Sequence, residues 1–136
     1  MFISTKGRYA LRVLIDMAQN STDRSEYIPL KEIAARQEIS EKYLEAIVKL
    51  LVKEQLLEGL RGKNGGYRLT KSPSDYSVGE ILRVTEGDIA VVSCLSDGAV
   101  KCPRENSCKT VAMWSKLDEM ISSYLDSISI SDLVAG

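Results

Sequence analysis

Residues 30–69 read LKEIAARQEISEKYLEAIVKLLVKEQLLEGLRGKNGGYRL, and this stretch decides the fold. Its first part follows Pro29 and predicts a short helix of about two turns over residues 30–36. After a break, Ser40 is a good N-cap for a longer helix that runs through Lys53, with its apolar face made of Leu44, Ile47, Val48 and Leu51. Two short helices joined by a tight turn predict a helix-turn-helix.

A β-hairpin is predicted directly after these helices. Residues 56–61 are typical of a strand, residues 62–66 form a glycine-rich turn, and residues 67–70 return as a second strand. The hairpin carries basic residues at and just beyond its tip, namely Arg61, Lys63 and Arg68. A hairpin in this position predicts a winged helix, and its glycines let the backbone approach a surface closely.

Helices are also predicted on both sides of this unit. Ser4 or Thr5 caps a first helix that ends near Asn20, and its inward residues recur at helical spacing: Ala10, Leu11, Leu14, Met17 and Ala18. Beyond Pro73, the pattern Ser77-Val78-Gly79-Glu80 predicts a capping box. The helix that it opens has an inward set of Val78, Ile81, Leu82 and Val84.

A long helix is predicted over residues 109–127, followed by a capped turn at residues 129–133. Its apolar stripe advances in steps of 3, 4, 3 and 4 through Trp114, Leu117, Ile121, Tyr124 and Ile128. Heptad spacing is typical of a seam between two helices, and a domain of this size has little other core for so wide a stripe. We therefore expect a homodimer, with packing within its own domain as the alternative.

The predicted fold is mainly α with a small β-hairpin wing. Residues 1–72 form the winged helix-turn-helix DNA-binding domain, and residues 73–108 form a connecting helix and a cysteine-bearing loop. Residues 109–136 form the dimerisation helix and a C-terminal turn.

Composition excludes several classes of protein. The 136 residues are 44% hydrophobic and 27% charged, which is ordinary for a globular chain. No apolar run approaches the roughly 20 residues of a membrane helix, and no secretion signal is apparent, so we expect a cytoplasmic protein without membrane contact. Histidine is absent, which closes the commonest catalytic routes, and we expect no enzymatic activity.

Charge is distributed unevenly along the chain. Residues 1–72 hold 13 Lys/Arg against 9 Asp/Glu, whereas residues 73–136 hold 5 against 10. A basic first half is typical of a nucleic-acid-binding domain joined to another module, although chance clustering gives the same numbers.

Three cysteines, Cys94, Cys102 and Cys108, lie between the last two long helices. They are separated by seven and five residues in a segment without helical periodicity. An odd number of cysteines in a cytoplasmic chain argues against a disulfide framework. Soft thiolates on one short loop suit an iron–sulphur cluster or zinc, and three free thiols are the alternative.

With these segments in order, the chain resembles the IscR/NsrR/CymR-type family of bacterial winged-helix transcription regulators, and within it most closely the IscR type. The resemblance covers nearly the whole chain. It is carried by Ser4-Thr5-Lys6-Gly7-Arg8-Tyr9-Ala10, Ile39-Ser40-Glu41-Lys42-Tyr43-Leu44-Glu45, Arg61-Gly62-Lys63-Asn64-Gly65-Gly66-Tyr67, Ser77-Val78-Gly79-Glu80-Ile81 and Ser129-Ile130-Ser131-Asp132-Leu133.

The resemblance implies a homodimeric repressor on a partly palindromic double-stranded DNA operator. Lys42 and Tyr43 would hold phosphates, and Glu45 would accept a hydrogen bond from a cytosine amino group. A solvated helix face is the alternative for Glu45. The full predicted DNA interface is Ser40, Lys42, Tyr43, Glu45, Lys49, Arg61, Gly62, Lys63, Gly65, Gly66 and Tyr67, with Arg61 at the minor groove.

The resemblance also implies an iron–sulphur cluster on Cys94, Cys102 and Cys108, with 2Fe–2S favoured and 4Fe–4S as the alternative. The chain departs from the family at the fourth ligand, because Val111 stands where the IscR type has histidine. Arg8 stands where the nitric-oxide sensor type has an acidic residue. Candidate oxygen ligands near the cysteines are Asp88, Asp97, Glu105 and Ser107, with nothing to choose among them. A labile cluster, or a 4Fe–4S cluster with an external ligand, is equally allowed.

Three hypotheses follow from these residues. The first is a regulator whose DNA affinity depends on the cluster. The second is a regulator of cysteine or sulphur metabolism that is controlled by a protein partner, as CymR is, with incidental cysteines. The third is a winged helix stapled by zinc. We find no nucleophile–base pair and no phosphate-cradling motif, which disfavours an enzyme.

Overall fold

The structure is a computed structural model that describes residues 3–100, 102–104 and 106–136. Over these residues the chain forms α1 (Thr5–Asn20), α2 (Leu30–Gln37), α3 (Glu41–Lys53), β1 (Leu57–Leu60), β2 (Gly66–Leu69), α4 (Val78–Glu86), α5 (Val111–Ser127) and α6 (Ile130–Ala135), with short 3-10 helices at Pro73–Asp75 and Ser93–Leu95. The predicted fold class, mainly helical with one hairpin, is confirmed. None of the helices in the described ranges has both the length and the apolar character to cross a membrane.

The first helix is the centre of the packing. Ser4 caps it, since the serine hydroxyl accepts a hydrogen bond from Gly7 N at 3.3 Å. The buried apolar residues of α1 are Ala10, Val13, Leu14 and Met17. Leu11 and Ala18, which the periodicity turns inward, are only partly buried beside the same core, and Val13 takes an inward place that the prediction missed.

The helix-turn-helix forms as predicted. Its turn is made possible by Glu38, which adopts a left-handed conformation and donates its N–H to Ala34 O. Ser40 then caps α3 by accepting a hydrogen bond from Tyr43 N at 3.2 Å. The buried residues of α3 are the four that the sequence predicted: Leu44, Ile47, Val48 and Leu51.

The strands of the wing are shorter than predicted at both outer ends. Leu57 pairs with Leu69 and Leu60 pairs with Gly66 in an antiparallel hairpin. Leu56 stays outside β1 because its N–H donates to Leu51 O at the end of α3, at 2.8 Å. Thr70 N–H donates to the hydroxyl of Tyr76 at 2.9 Å, and β2 therefore ends at Leu69.

The capping box predicted at the start of α4 is only half formed. The hydroxyl of Ser77 accepts a hydrogen bond from Glu80 N at 3.0 Å, as expected. The returning arm is wrong, because both oxygens of the Glu80 carboxylate instead accept hydrogen bonds from Lys71 Nζ at 3.0 Å. The Glu80 carboxylate, which the motif pairs with the backbone N–H of Ser77, is thus engaged by a lysine that precedes the helix.

The last two helices differ in how they pack. The start of α6 is anchored, since Ile130 is fully buried in the main core and Ser129 and Asp132 form a complete capping box. In contrast, α5 has no buried residue, and it begins at Val111 rather than at Lys109. It packs on α4 at its C-terminal end, where the Arg83 guanidinium makes two hydrogen bonds to the carboxylate of Asp126, at 2.6 and 3.1 Å.

A second apolar cluster joins α1, α4, α5 and the start of the cysteine loop. Its buried members are Val78, Leu82 and Ile89, and the partly buried residues around them are Ile3, Leu11, Leu125 and Ile128. We call this set the junction cluster. It places the beginning of the loop in the same packed unit as the first helix of the winged helix.

Candidate nucleic-acid interface and cysteine loop

The exposed side of α3 presents four predicted DNA-contacting side chains to solvent. Lys42, Tyr43, Glu45 and Lys49 are exposed, while the neighbouring leucine and isoleucine positions are buried. Among the described residues, no hydrogen bond or ion pair holds the side chains of Lys42, Glu45 or Lys49, so their polar groups are available to a ligand. Ser40 is different, because its hydroxyl already caps α3.

A groove of about 620 Å³ opens between α3 and the wing. Its lining includes seven of the predicted interface residues, namely Glu45, Lys49, Arg61, Gly62, Gly65, Gly66 and Tyr67. The fold therefore brings the recognition helix and the wing together around one concave surface. Lys42, Tyr43 and Lys63 lie outside this lining, and all three are exposed.

Arg61 and Arg68 belong to the same hairpin but differ in their partners. Arg61 is exposed and has no ion pair in the described part of the chain. Arg68 Nε donates to the Glu58 carboxylate at 2.8 Å, and its Nη1 donates to Ser25 O at 3.0 Å. The hydrogen bond to Glu58 raises the pKa of Arg68, and its guanidinium lies 4.6 Å from the ring centroid of Tyr27. Arg68 thus stabilises the hairpin through its hydrogen bonds, whereas the guanidinium of Arg61 is available to contact a ligand.

Two of the wing glycines have a reason within the chain itself. A Cβ on Gly66, whose φ is +147°, would overlap with the carbonyl of Ile28, which is paired with Tyr67 through hydrogen bonds of 2.8 and 2.9 Å. A Cβ on Gly65 would overlap with Leu60 O. The sequence alone suggested DNA approach for these glycines. Close packing of backbone against backbone explains Gly65 and Gly66 without DNA.

Gly62 is the wing glycine with open space around it. Its φ of +94° is a conformation that other residues rarely adopt, and no atom would meet a Cβ within 4 Å. Gly62 therefore turns the backbone next to Arg61 at the exposed tip.

Sequence patterns missed an extension of this surface onto α1. The rings of Tyr9 and Tyr43 meet edge to face, with their centroids 5.6 Å apart, and the Arg12 guanidinium lies 5.2 Å from the centroid of Tyr9. The only signal in the sequence is the spacing of Tyr9 and Arg12, which places them on neighbouring turns of one helix. Nothing in that spacing indicates contact with α3.

The cysteine loop, residues 87–110, holds all three thiols without joining them. Cys94 is exposed on the short helix Ser93–Leu95, Cys102 and Cys108 are half-buried, and each is free. In the described residues, no three His, Cys, Asp or Glu side chains gather closely enough to hold a metal ion. The predicted ligands are therefore on one loop, as expected, but the three thiols do not form a ready-made metal site.

Cys108 has an environment that favours its thiolate. Hydrogen bonds from the side chain and backbone of Thr110 lower the pKa of the Cys108 thiol, and the charge of Arg104 adds to the effect. The thiol and the Thr110 hydroxyl lie 3.4 Å apart. Because thiolates are the form that binds iron or zinc, the donor set fits a cluster chemically.

The oxygen atoms predicted as fourth ligands are partly engaged. Asp88 accepts hydrogen bonds from Ala90 N at 2.7 Å and from Asp97 N at 2.9 Å, and these bonds lower the pKa of Asp88. The Ser107 hydroxyl donates to Arg104 O at 3.3 Å. Glu105 lies outside the described residues. Val111 begins α5 and has no side-chain donor atom, and the Arg8 guanidinium is a cation that donates to Thr5, so neither side chain can serve as a ligand.

A helix-turn-helix followed directly by a hairpin, with unengaged polar side chains around one groove, defines a winged-helix DNA-binding protein.

The chain belongs to the Rrf2 family, described as iron-dependent transcriptional regulators, which matches residues 3–136. It is 37% identical to the HTH-type transcriptional regulator IscR of Yersinia pseudotuberculosis over 134 residues, or 98% of this chain and 79% of that protein. The structure of CymR, the global cysteine regulator of B. subtilis, is similar with a TM-score of 0.78 at 34% identity, over 99% of this chain and 97% of that chain.

The structure of T. potens IscR is also similar, with a TM-score of 0.76 at 35% identity, over 99% of this chain and 87% of that chain. The predicted family resemblance is therefore confirmed. The chain is a DNA-binding transcription regulator, and its relatives are regulators rather than enzymes, as the sequence predicted.

Proposed function

We propose that the chain is a cytoplasmic, homodimeric repressor whose affinity for its operator depends on an iron–sulphur cluster held by Cys94, Cys102 and Cys108. The observation that carries the proposal is the position of the cysteine loop. The loop starts in the junction cluster beside α1 and ends at α5. Of the stripe predicted on α5, Leu117 and Tyr124 are exposed and Trp114 and Ile121 are half-buried, whereas Ile128 lies beyond the helix and packs in the junction cluster. A ligand that orders this loop would act between the DNA-binding unit and the dimer interface.

The groove between α3 and the wing supports a specific contact with double-stranded DNA. Lys42 and Tyr43 would contact phosphates, and Glu45 with Lys49 would face base edges in the major groove. Arg61 and Lys63 would reach the minor groove or its phosphates, with Gly62 allowing the tip to approach. In this proposal Ser40 fixes the start of α3, while Gly65, Gly66 and Tyr67 shape the floor of the groove.

The apolar stripe of α5 supports the homodimer. Met113, Leu117, Met120 and Tyr124 are exposed to 53%, 39%, 58% and 65%. Contiguous exposed apolar side chains on a monomer mark an interaction surface, and heptad steps suit a second copy of the same helix. Two DNA-binding units would then sit on one two-fold axis and engage two half-sites.

The three cysteines would hold the cluster through their thiolates. A bound cluster would make the state of the loop depend on oxidants and on the iron supply. In the structure Ile89 packs in the junction cluster, and Val91 N donates to the Asp118 carboxylate of α5 at 3.0 Å. Both anchors hold the start of the loop, and ligation by the three thiols would restrain the segment that follows, from Cys94 to Cys108. A ligand of this kind is expected to couple to DNA binding by a factor of roughly 5 to 150.

The test is anaerobic purification followed by an ultraviolet–visible spectrum, analysis of iron, sulphide and zinc, and fluorescence anisotropy on one operator. Holo protein, apo protein and a variant with all three cysteines replaced by serine are compared. We expect holo and apo protein to differ in operator affinity and the triple-serine variant to keep one of the two affinities. Equal binding by all three, with iron verified in the holo sample, would exclude the cluster as the switch.

A second candidate is a regulator of cysteine or sulphur metabolism that is controlled by a protein partner. It is supported by the structural similarity to CymR, a global cysteine regulator. The same experiment separates the two candidates, since partner control predicts no iron and no dependence on the cysteines. Stoichiometric zinc instead of iron would support the zinc-stapled alternative.

A further inference from the structure

The recognition helix is contacted on its N-terminal turn by an aromatic residue from another helix. Tyr43 is 40% exposed at the start of α3, so the rotation of its side chain is limited mainly by the few residues that contact its ring. That contact is Tyr9 of α1, whose ring meets the Tyr43 ring edge to face at a centroid separation of 5.6 Å. Such a geometry is the favoured one for aromatic pairs, because the positive ring edge faces the negative ring face.

Tyr9 is itself held in place. Its side chain packs partly buried against the main core, and the Arg12 guanidinium lies 5.2 Å from its ring centroid. Arg12 is fixed in turn, since its Nε donates to Gln37 Oε1 at 3.0 Å and its Nη2 donates to Gln37 O. The support of the Tyr43 ring thus extends to the end of α2, directly before the turn of the helix-turn-helix.

This chain of contacts ends in a buried anchor. Gln37 Nε2 donates to the Asp16 carboxylate at 2.9 Å, and Asp16 is only 1% exposed. Arg36 donates to the same carboxylate at 2.7 to 3.2 Å, and that hydrogen bonding raises the pKa of Arg36. Because the anchor is rigid, Arg12 and Tyr9 have little freedom to move away from Tyr43.

We propose that Tyr9 of α1 is a positioning residue for operator binding, because its ring fixes the side chain of Tyr43 where α3 meets DNA. An exposed tyrosine without this neighbour would lose rotamer freedom when it binds a phosphate, and that loss weakens binding. Tyr9 removes part of this cost before DNA arrives. The inference rests on the proposed contact of Tyr43 with DNA.

The experiment is a double-mutant cycle on operator affinity, measured by fluorescence anisotropy with wild type, Tyr9→Leu, Tyr43→Ala and the double variant. We expect Tyr9→Leu to weaken binding by about twofold to twelvefold for each half-site, which is the usual cost of immobilising one flexible side chain on binding. In the Tyr43→Ala background the same substitution should change nothing. Tyr9→Phe should restore the wild-type affinity, since it keeps the ring and its edge.

Leu11→Ala is the matched control, because Leu11 is a partly buried residue of α1 that packs against the main core and the junction cluster and takes no part in the aromatic contact with Tyr43. It should lower the stability measured by urea unfolding and leave operator affinity unchanged. Equal weakening by Leu11→Ala and Tyr9→Leu would mean a general loosening of α1 and would overturn the inference.

Two further outcomes separate this inference from the proposed function. If Tyr43→Ala binds the operator like wild type, the DNA contact of Tyr43 is wrong and the inference falls with it. If Tyr43→Ala weakens binding while Tyr9→Leu has no effect, or has the same effect in both backgrounds, only the positioning role of Tyr9 is wrong.

Discussion

Replacing Arg61 with alanine would isolate the contribution of the wing to operator binding. Arg61 is exposed at the end of β1 and has no ion pair in the described part of the chain, so its removal leaves no buried group without a partner. Gly62 beside it has a conformation that does not depend on the arginine side chain. We therefore expect the free energy of unfolding to change by less than about 0.5 kcal/mol.

The expected loss of binding is much larger than this change in stability. A specific arginine contact contributes about 1–3 kcal/mol at its site, which is roughly a 5- to 150-fold change in affinity. A dimer loses the contact at both half-sites, so the operator affinity should fall by at least about 30-fold. If both arginines also neutralise phosphates, the slope of log K against log salt should become shallower by about 1.8.

The assay is fluorescence anisotropy on one operator over a series of salt concentrations, with urea unfolding of each variant in parallel. Arg68→Ala is the matched control, because Arg68 lies on the same hairpin but is engaged by Glu58 and Ser25. It should lower stability more than Arg61→Ala does and operator affinity less. If Arg61→Ala binds the operator as tightly as wild type, the wing has no part in specific recognition.

Three other predictions test separate parts of the molecule. Leu117→Glu places a charge in the exposed apolar stripe of α5 and should give a monomer in light scattering, whereas Ser115→Glu, which is exposed on the opposite side of the helix, should stay dimeric. An unchanged Leu117→Glu dimer contradicts the interface. Tyr76→Phe removes a buried hydroxyl that donates to Leu56 O at 2.7 Å. It should lower the free energy of unfolding, measured in urea, by about 1–3 kcal/mol. A loss below about 0.5 kcal/mol would contradict the assigned hydrogen bond. Because Thr110 lowers the pKa of Cys108, its thiolate should persist to lower pH than that of an ordinary cysteine, whose pKa is about 8.5. The check is the pH dependence of iodoacetamide labelling of Cys108 in apo protein, read by peptide mass spectrometry. The pH midpoint of labelling should be lower in the folded protein than in the urea-unfolded chain, and equal midpoints would refute the prediction.

Local sequence signals predicted the elements of the fold well because each depends on residues close together in the chain. Ser40 marks the start of α3 through a hydrogen bond three residues away, and the apolar spacing of α3 identifies its buried face. The same reasoning failed at Glu80, whose carboxylate accepts hydrogen bonds from Lys71, nine residues earlier and outside α4. Periodicity contains no information about such a partner.

The candidate site was predicted in part for the same reason. The exposed positions of α3 and the basic tip of the wing follow from local pattern, and the groove unites them. The contacts of Tyr9 with Tyr43, and of Gly66 with the backbone of Ile28, join residues about 35 to 40 positions apart in the chain, which no short motif reports. The predicted boundaries at residues 72 and 108, and the role of the three cysteines, stay predictions.

The end of α4 is tied to the beginning of α1 at one point. Glu86 accepts hydrogen bonds from the backbone N of Ser4 at 3.2 Å and from the Ser4 hydroxyl at 2.6 Å, and a Cβ on Gly7 would overlap with the same carboxylate. Positions 4, 7 and 86 are therefore expected to evolve as a set, because a larger residue at 7 displaces the carboxylate and leaves the cap of α1 unsupported. Exchange of the DNA-binding unit between relatives would preserve this joint only if all three residues travel together.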